Sequence, residues 1–217
     1  TTLFRSELMK SALPKGVELQ LQAPVVLDSW TQFFKNVSQM GLVIIVIMFS
    51  PMLSRELDRG TLQPLLARGL SRTQVILAKF FFAACVWSVV FWLSYGVTWG
   101  YNFMFWSTSY VPKLFLAVSG VWLFGLLMIA ALLLGSACMG STAGALLCAG
   151  GIFAVGMLFS MFPDCMTYNP IQLMQGNVSL LQNNVTVSDF GCAMGVTFAL
   201  IIVLLFMAIK IFKHKNL

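Results

Sequence analysis

The residues able to do chemistry are few, and they crowd into one stretch. The 217-residue chain holds 13 Lys or Arg, 7 Asp or Glu and a single His. Arg55, Arg59, Arg68, Arg72 and Lys79 fall close together in sequence with Glu56 and Asp58 among them. That set suits recognition of a partner rather than bond-making. No GxxxxGK[ST] loop is present to cradle ATP phosphates, and no HExxH to bind zinc. The lone His214 sits in a Lys-rich tail, where solvation is the simpler fate. No catalytic, cofactor-binding or metal site is expected in this chain. Nor do its apolar runs hold the parts of a self-powered carrier. Proton- and sodium-coupled carriers place ionisable groups near mid-membrane, yet from residue 80 to 209 only Lys113, Asp164 and Asp189 occur, all in loops. The driving force must come from elsewhere.

The polar stretch has its own local grammar. Gly60-Thr61 reads as a turn and helix N-cap, and Pro64 is tolerated in the first helical turn. Leu62, Leu65 and Leu66 give one apolar face at three- and four-residue spacing. Gly69 follows as a left-handed stop. Ser71-Arg72-Thr73-Gln74 is then a capping box that launches the next helix. A short helix over 61–68 is predicted. It admits two readings: a solvated loop rich in cationic residues, or a helix that docks a cytoplasmic partner. The length of the connection, the two capped starts and the acids among the bases favour docking.

The elements that must position this segment follow from composition. Hydrophobic residues make up 59% of the chain and charged ones 9%, and its mean hydropathy is +0.89. A soluble domain carries about 25% charged residues, and disorder needs low hydrophobicity. An all-α integral membrane protein remains. Single-domain spans are predicted at 30–53, 74–100, 112–135, 142–162 and 189–210, each near the roughly 20 apolar residues a crossing requires. The runs are continuously apolar, which suits helices and not barrel strands. Ser29 and Gln32 suggest a capping box for a first helix starting near Trp30 and ending near Pro51. Pro112-Lys113 suits the first turn of the third helix. Residues 135–144 read as a small-residue turn, and Phe162-Pro163-Asp164 as the end of the fourth helix.

Basic residues in short loops set the orientation. The segment 54–73 and the tail with Lys210, Lys213 and Lys215 share one side, expected to be cytoplasmic in a cell membrane. Residues 1–28 and the loop 163–188 then lie outside. Arg5, Lys10, Lys15 and Lys35 sit awkwardly there, although Glu7, Glu18 and Asp28 dilute them. With no initial Met and no signal peptide, a further span upstream is expected, giving six.

Glu56, Gly60-Thr61, Leu65-Leu66, Ser71-Arg72 and Lys79-Phe80 together resemble the signature of type-two ABC exporter permeases. Residues 27–46 are similar to that family's entry into its second span, and Tyr168-Asn169-Pro170 to an element of its last external loop. Arg68-Gly69-Leu70 departs from the family's frequent Pro at this point. The resemblance implies a six-span permease working as a homodimer or related heterodimer, with two cytoplasmic ATPase subunits that bind ATP and Mg. The helix at 61–68, with Gly60, Thr61, Leu65, Leu66 and Arg68, would be the coupling helix in a cleft of the ATPase. Glu56 and Arg59 would add charged contacts, while Arg72 and Lys79 anchor the next span. The lipid bilayer is the other partner, and nucleic acid is not one.

Other features carry competing readings. Phe91, Trp92 and Tyr95 line an apolar path for an amphipathic peptide, drug or lipid, or else simply pack. Cys85, Cys138 and Cys148 read as packing residues. Cys165 and Cys192 bracket the last external loop on the oxidising side and form a disulfide if that loop folds back on itself. The loop itself, polar with apolar punctuation, reads as short helices dipping into the outer leaflet, either as a gate or as a surface cap. Gly140, Gly144, Ala145, Gly150 and Gly151 permit close helix approach. Outside transport by an ATP-driven exporter, two alternatives stand: a non-transporting scaffold or sensor that binds its partner through 54–79, and an ATP-independent channel.

Overall fold

Long stretches without charge or interior proline leave the backbone one way to satisfy its polar groups in lipid, the continuous α-helix. A computed structural model describes residues 26–58, 71–106, 111–162, 167–182 and 185–214. Its helices are α1 (Val26–Asn36), α2 (Leu42–Phe49), α3 (Pro51–Asp58), α4 (Arg72–Phe105), α5 (Leu114–Met139), α6 (Thr142–Phe159), α7 (Gln172–Gln175), α8 (Asn177–Leu181) and α9 (Val187–His214). A five-residue π segment, Val37–Gly41, joins α1 to α2. Among the described residues, five units are long and apolar enough to cross a membrane: Val26–Glu56, α4, α5, α6 and α9.

The bundle is organised around α5. Of its most apolar window 78% is buried, against 17% to 33% for the other four. It packs most extensively against α9 and α6, and also meets α4, α2 and the short α7 and α8. Small residues allow this. A Cβ on Gly120 would lie 2.6 Å from the Phe190 ring of α9, and one on Gly135 would lie 2.5 Å from the Gly144 carbonyl of α6. Both distances are too short for any side chain. With little hydrophobic drive between helices in lipid, such close backbone approach is a main source of attraction.

Several helix ends differ from the sequence reading. The first helix is already formed at Val26, so Ser29 lies inside it rather than capping it. Gln32 donates instead to the Asn36 side chain at 2.9 Å. Pro51 does not end the span. It opens α3 after a one-residue turn at Ser50, where a residue lacking N–H costs little. The third helix starts at Leu114, after Pro112, with Lys113 in a left-handed conformation at φ 63°. The turn between α5 and α6 is only Gly140-Ser141, since residues 135–139 remain helical. Gly140 takes φ 68°, and Ser141 Oγ accepts from Gly144 N at 3.1 Å. Helix α6 stops at Phe159, before Phe162-Pro163.

At Ser71 the expected capping box is present in full. Gln74 N donates to Ser71 Oγ at 3.2 Å and Ser71 N to Gln74 Oε1 at 3.0 Å. The helix it launches runs 34 residues without a break. Cys85 and Cys138 are exposed in the single chain, and only Cys148 is half-buried. The first two therefore face outward and do not fill the core.

Candidate functional site

The polar segment is fixed at both of its ends. On the entering side, Ser54 is buried and its hydroxyl shares a 2.9 Å hydrogen bond with Thr142 at the start of α6. Two residues on, Glu56 Oε1 sits 2.7 Å from Lys79 Nζ. Lys79 also donates to the Met52 carbonyl at 3.0 Å, so one ammonium ties α4 to α3 twice. The Lys79 side chain is 13% exposed and Glu56 41%. That partial exposure limits the pair to the modest energies of surface ion pairs, about 0.2–1 kcal/mol.

On the leaving side, Arg72 Nη1 donates to the carbonyls of Phe212 and Lys213, each at 3.0 Å. These belong to the last turn of α9, whose carbonyls lack intrahelical partners and carry the negative end of the helix dipole. A guanidinium there satisfies orphan acceptors and complements the dipole at once. Glu56, Arg72 and Lys79 are thus brought to one end of the bundle, against α3, α4, α6 and α9. Arg59, Gly60, Thr61, Leu65, Leu66 and Arg68 lie outside the described residues.

Phe91, Trp92 and Tyr95 are also brought together, within an aromatic cluster. Phe91 is fully buried against Trp87, with centroids 5.0 Å apart. Trp92 stacks on Phe115 at 5.8 Å, and Tyr95 lies 5.5 Å from Trp30 of α1. The cluster joins α1 to α4 and α5.

Two roomy apolar cavities open elsewhere. One, of about 690 Å³, lies between α5, α6, α9 and the segment before α7, with Phe124, Phe159 and Ile171 in its wall. The other, of about 730 Å³, runs between the first span and α6 and is closed at one end by residues 174–178. Lys35, Ser38, Gln39, Gln175 and Asn177 gather in its wall, and Phe91, Trp92 and Tyr95 line neither cavity. The sequence hinted at this second wall through Lys35, placed before the first apolar run, and through the polar loop that holds Gln175 and Asn177.

The short helices α7 and α8 lie against α5 rather than standing clear of it. Asn169 pins their approach. Its Nδ2 donates to the Gly156 carbonyl at 2.7 Å, and its Oδ1 accepts from Ile171 N at 3.1 Å. Gly156 has to be glycine here, because a Cβ would meet Ile171 Cγ1 at 2.7 Å. Cys192 is a free, exposed thiol, and Cys165 lies outside the described residues.

Among the described residues, four apolar spans around one buried helix, with the polar groups collected at the helix ends, define a multi-pass membrane protein. Within that class, the family model described as ABC-2 family transporter protein matches residues 31–189. The chain belongs to this family and is a membrane subunit of an ABC transporter, not its ATPase. No curated protein matches it.

Proposed function

We propose that this chain is the permease of an ATP-driven exporter in the cell membrane, and that residues 54–79 receive the work of ATP hydrolysis. The observation that carries this reading is the anchoring of both ends of that segment. Glu56–Lys79 joins α3 to α4, and Arg72 joins α4 to the end of α9. A push on residues 59–70 would thereby reach three helices rather than dissipate in a loop. Two copies of a cytoplasmic ATPase, carrying ATP and Mg, would dock the helix at 61–68. A second permease, identical or related, would complete the transporter, with the C terminus on the cytoplasmic side. The cargo is an amphipathic molecule moved outward, because the cavities are apolar and the spans between residues 80 and 209 contain no ionisable side chain within their membrane-crossing parts.

Copurification with its ATPase, followed by ATP hydrolysis in nanodiscs, tests the proposal. Glu56→Gln and Gly60→Leu should leave the complex folded while lowering cargo-stimulated hydrolysis at least several-fold. Hydrolysis and assembly unchanged in both variants would remove the coupling assignment.

A further inference from the structure

At the end of the bundle that holds Glu56 and Lys79, a cleft of about 430 Å³ opens between the last turn of α5 and the last turns of α9. Cys138 forms one wall, and Lys210, Ile211 and His214 form the other, with no acid between them. Lys210 and His214 are four residues apart and so share one face of α9. Both are exposed, as is Lys213 beside them. None of the three makes an ion pair among the described residues.

Two further observations bear on what such a cleft can hold. The C-terminal end of a helix ordinarily repels anions, because its last carbonyls carry the negative end of the dipole. Here Arg72 Nη1 covers them, donating to the carbonyls of Phe212 and Lys213 at 3.0 Å each. The cations of α9 are therefore not spent on their own helix end. The second observation is depth. Residues 190–209 carry no charge, and at 1.5 Å per residue they extend over about 30 Å, the thickness of a bilayer's hydrocarbon core. Lys210 thus stands at the level of the lipid phosphates. Beneath it, at steps of three and four residues on the same face, lie the exposed side chains of Val203, Phe206 and Met207.

We propose that this cleft binds the phosphodiester headgroup of an anionic phospholipid between Lys210 and His214, with an acyl chain lying on Val203, Phe206 and Met207. Basic pockets between helix ends at the membrane boundary are where such headgroups bind. The Lys210 ammonium supplies the counter-charge, and the imidazole keeps an N–H donor in either protonation state. A free phosphate ester would meet the same cations but leave the apolar row bare, which is why a lipid is the better fit. The site needs neither an ATPase nor a cargo. Because Arg72 ties this end of α9 to the start of α4, a bound lipid would brace the junction between the two helices.

Equilibrium binding to the full chain in nonionic detergent tests the site. The ligands are dioctanoyl phosphatidylglycerol, dioctanoyl phosphatidylcholine and glycerol 3-phosphate, which separate headgroup charge from the lipid tail. Phosphatidylglycerol should bind about tenfold more tightly than either of the others. Lys210→Gln combined with His214→Gln should abolish that preference, and Lys210→Arg should retain it. Lys35→Gln makes the same charge change at the far end of the first span and should leave the preference intact. Cys138 is a free, exposed thiol in the wall and marks the position. With the other four cysteines replaced by Ala, phosphatidylglycerol should slow maleimide labelling of Cys138 several-fold, and phosphatidylcholine should not. Equal affinity for the two lipids, or glycerol 3-phosphate binding as tightly as phosphatidylglycerol, would overturn the proposal. So would an unchanged preference in the double variant, its loss in Lys35→Gln, or a Cys138 thiol that phosphatidylglycerol leaves unshielded.

Discussion

Gly125→Ala is the sharpest steric test of the bundle. Gly125 lies on α5 beneath the indole of Trp87, and a Cβ there would sit 2.5 Å from Trp87 Nε1 and 2.6 Å from its Cζ2. Trp87 is 4% exposed and its Nε1 donates to the Trp122 carbonyl at 2.9 Å. The ring cannot retreat without losing that bond. Overpacking costs about 1–3 kcal/mol, and stranding a buried donor about 1–3 kcal/mol more if the bond breaks outright. Alanine's better helix propensity returns roughly 1 kcal/mol. The clash wins by about 1–5 kcal/mol when the bond breaks, and by at most about 2 kcal/mol when it survives. For a chain of this size each kcal/mol shifts the melting temperature by roughly 2–4 °C.

The assay is thermal unfolding of the purified chain in detergent at one scan rate, since membrane proteins commonly unfold irreversibly. Gly96→Ala and Gly100→Ala are the matched controls. They make the same chemical change on α4, where a Cβ meets nothing within 4 Å, and should leave melting unchanged or raised. Trp87→Leu combined with Gly125→Ala should lose less than the sum of the single variants. A Gly125→Ala chain that melts with the Gly96→Ala chain would refute the reasoning, because propensity would then outweigh packing.

Lys79→Met removes both the Glu56 contact and the bond to Met52 O. A double-mutant cycle with Glu56→Gln should return about 0.2–1 kcal/mol of coupling in thermal unfolding, as befits a partly exposed pair. Asn169→Ala strands the buried Ile171 amide, while the Gly156 carbonyl keeps its bond from Ser160 N. A loss of about 1–3 kcal/mol is expected, with amide exchange quickening over residues 167–182 before the rest of the chain. The coupling experiment described above completes the set.

The helical spans were legible in the sequence, because twenty-residue apolar runs admit no other backbone in lipid. Ser71 and Gln74 were legible for a similar reason: a capping box is a contact between residues three apart and needs no tertiary information. The same logic misfired at Ser29, where the helix already extends upstream and the amides that serine would cap are bonded within it. Local capping rules describe a helix end only if the end is there. Pro51 misled in the opposite way, since a proline in a first turn is silent about whether a helix has just stopped or is about to resume.

What the sequence determined by itself was the class of molecule, a charge-poor helical bundle with one polar segment and, from residue 80 to 209, no Asp, Glu, Lys or Arg but Lys113, Asp164 and Asp189, none of them deep in a span. Those properties depend on composition and on spacing along a single helix. Only the tertiary structure decided that α5 is the buried centre, that Phe91, Trp92 and Tyr95 pack together with Trp30, and that Arg72 reaches the end of α9. It also decided that Lys35 and Asn177, far apart in sequence, share one cavity wall. Apolar helices carry little azimuthal information, since every face is hydrophobic. Which face meets which neighbour is settled by where small residues let backbones approach, and that is a property of pairs of helices.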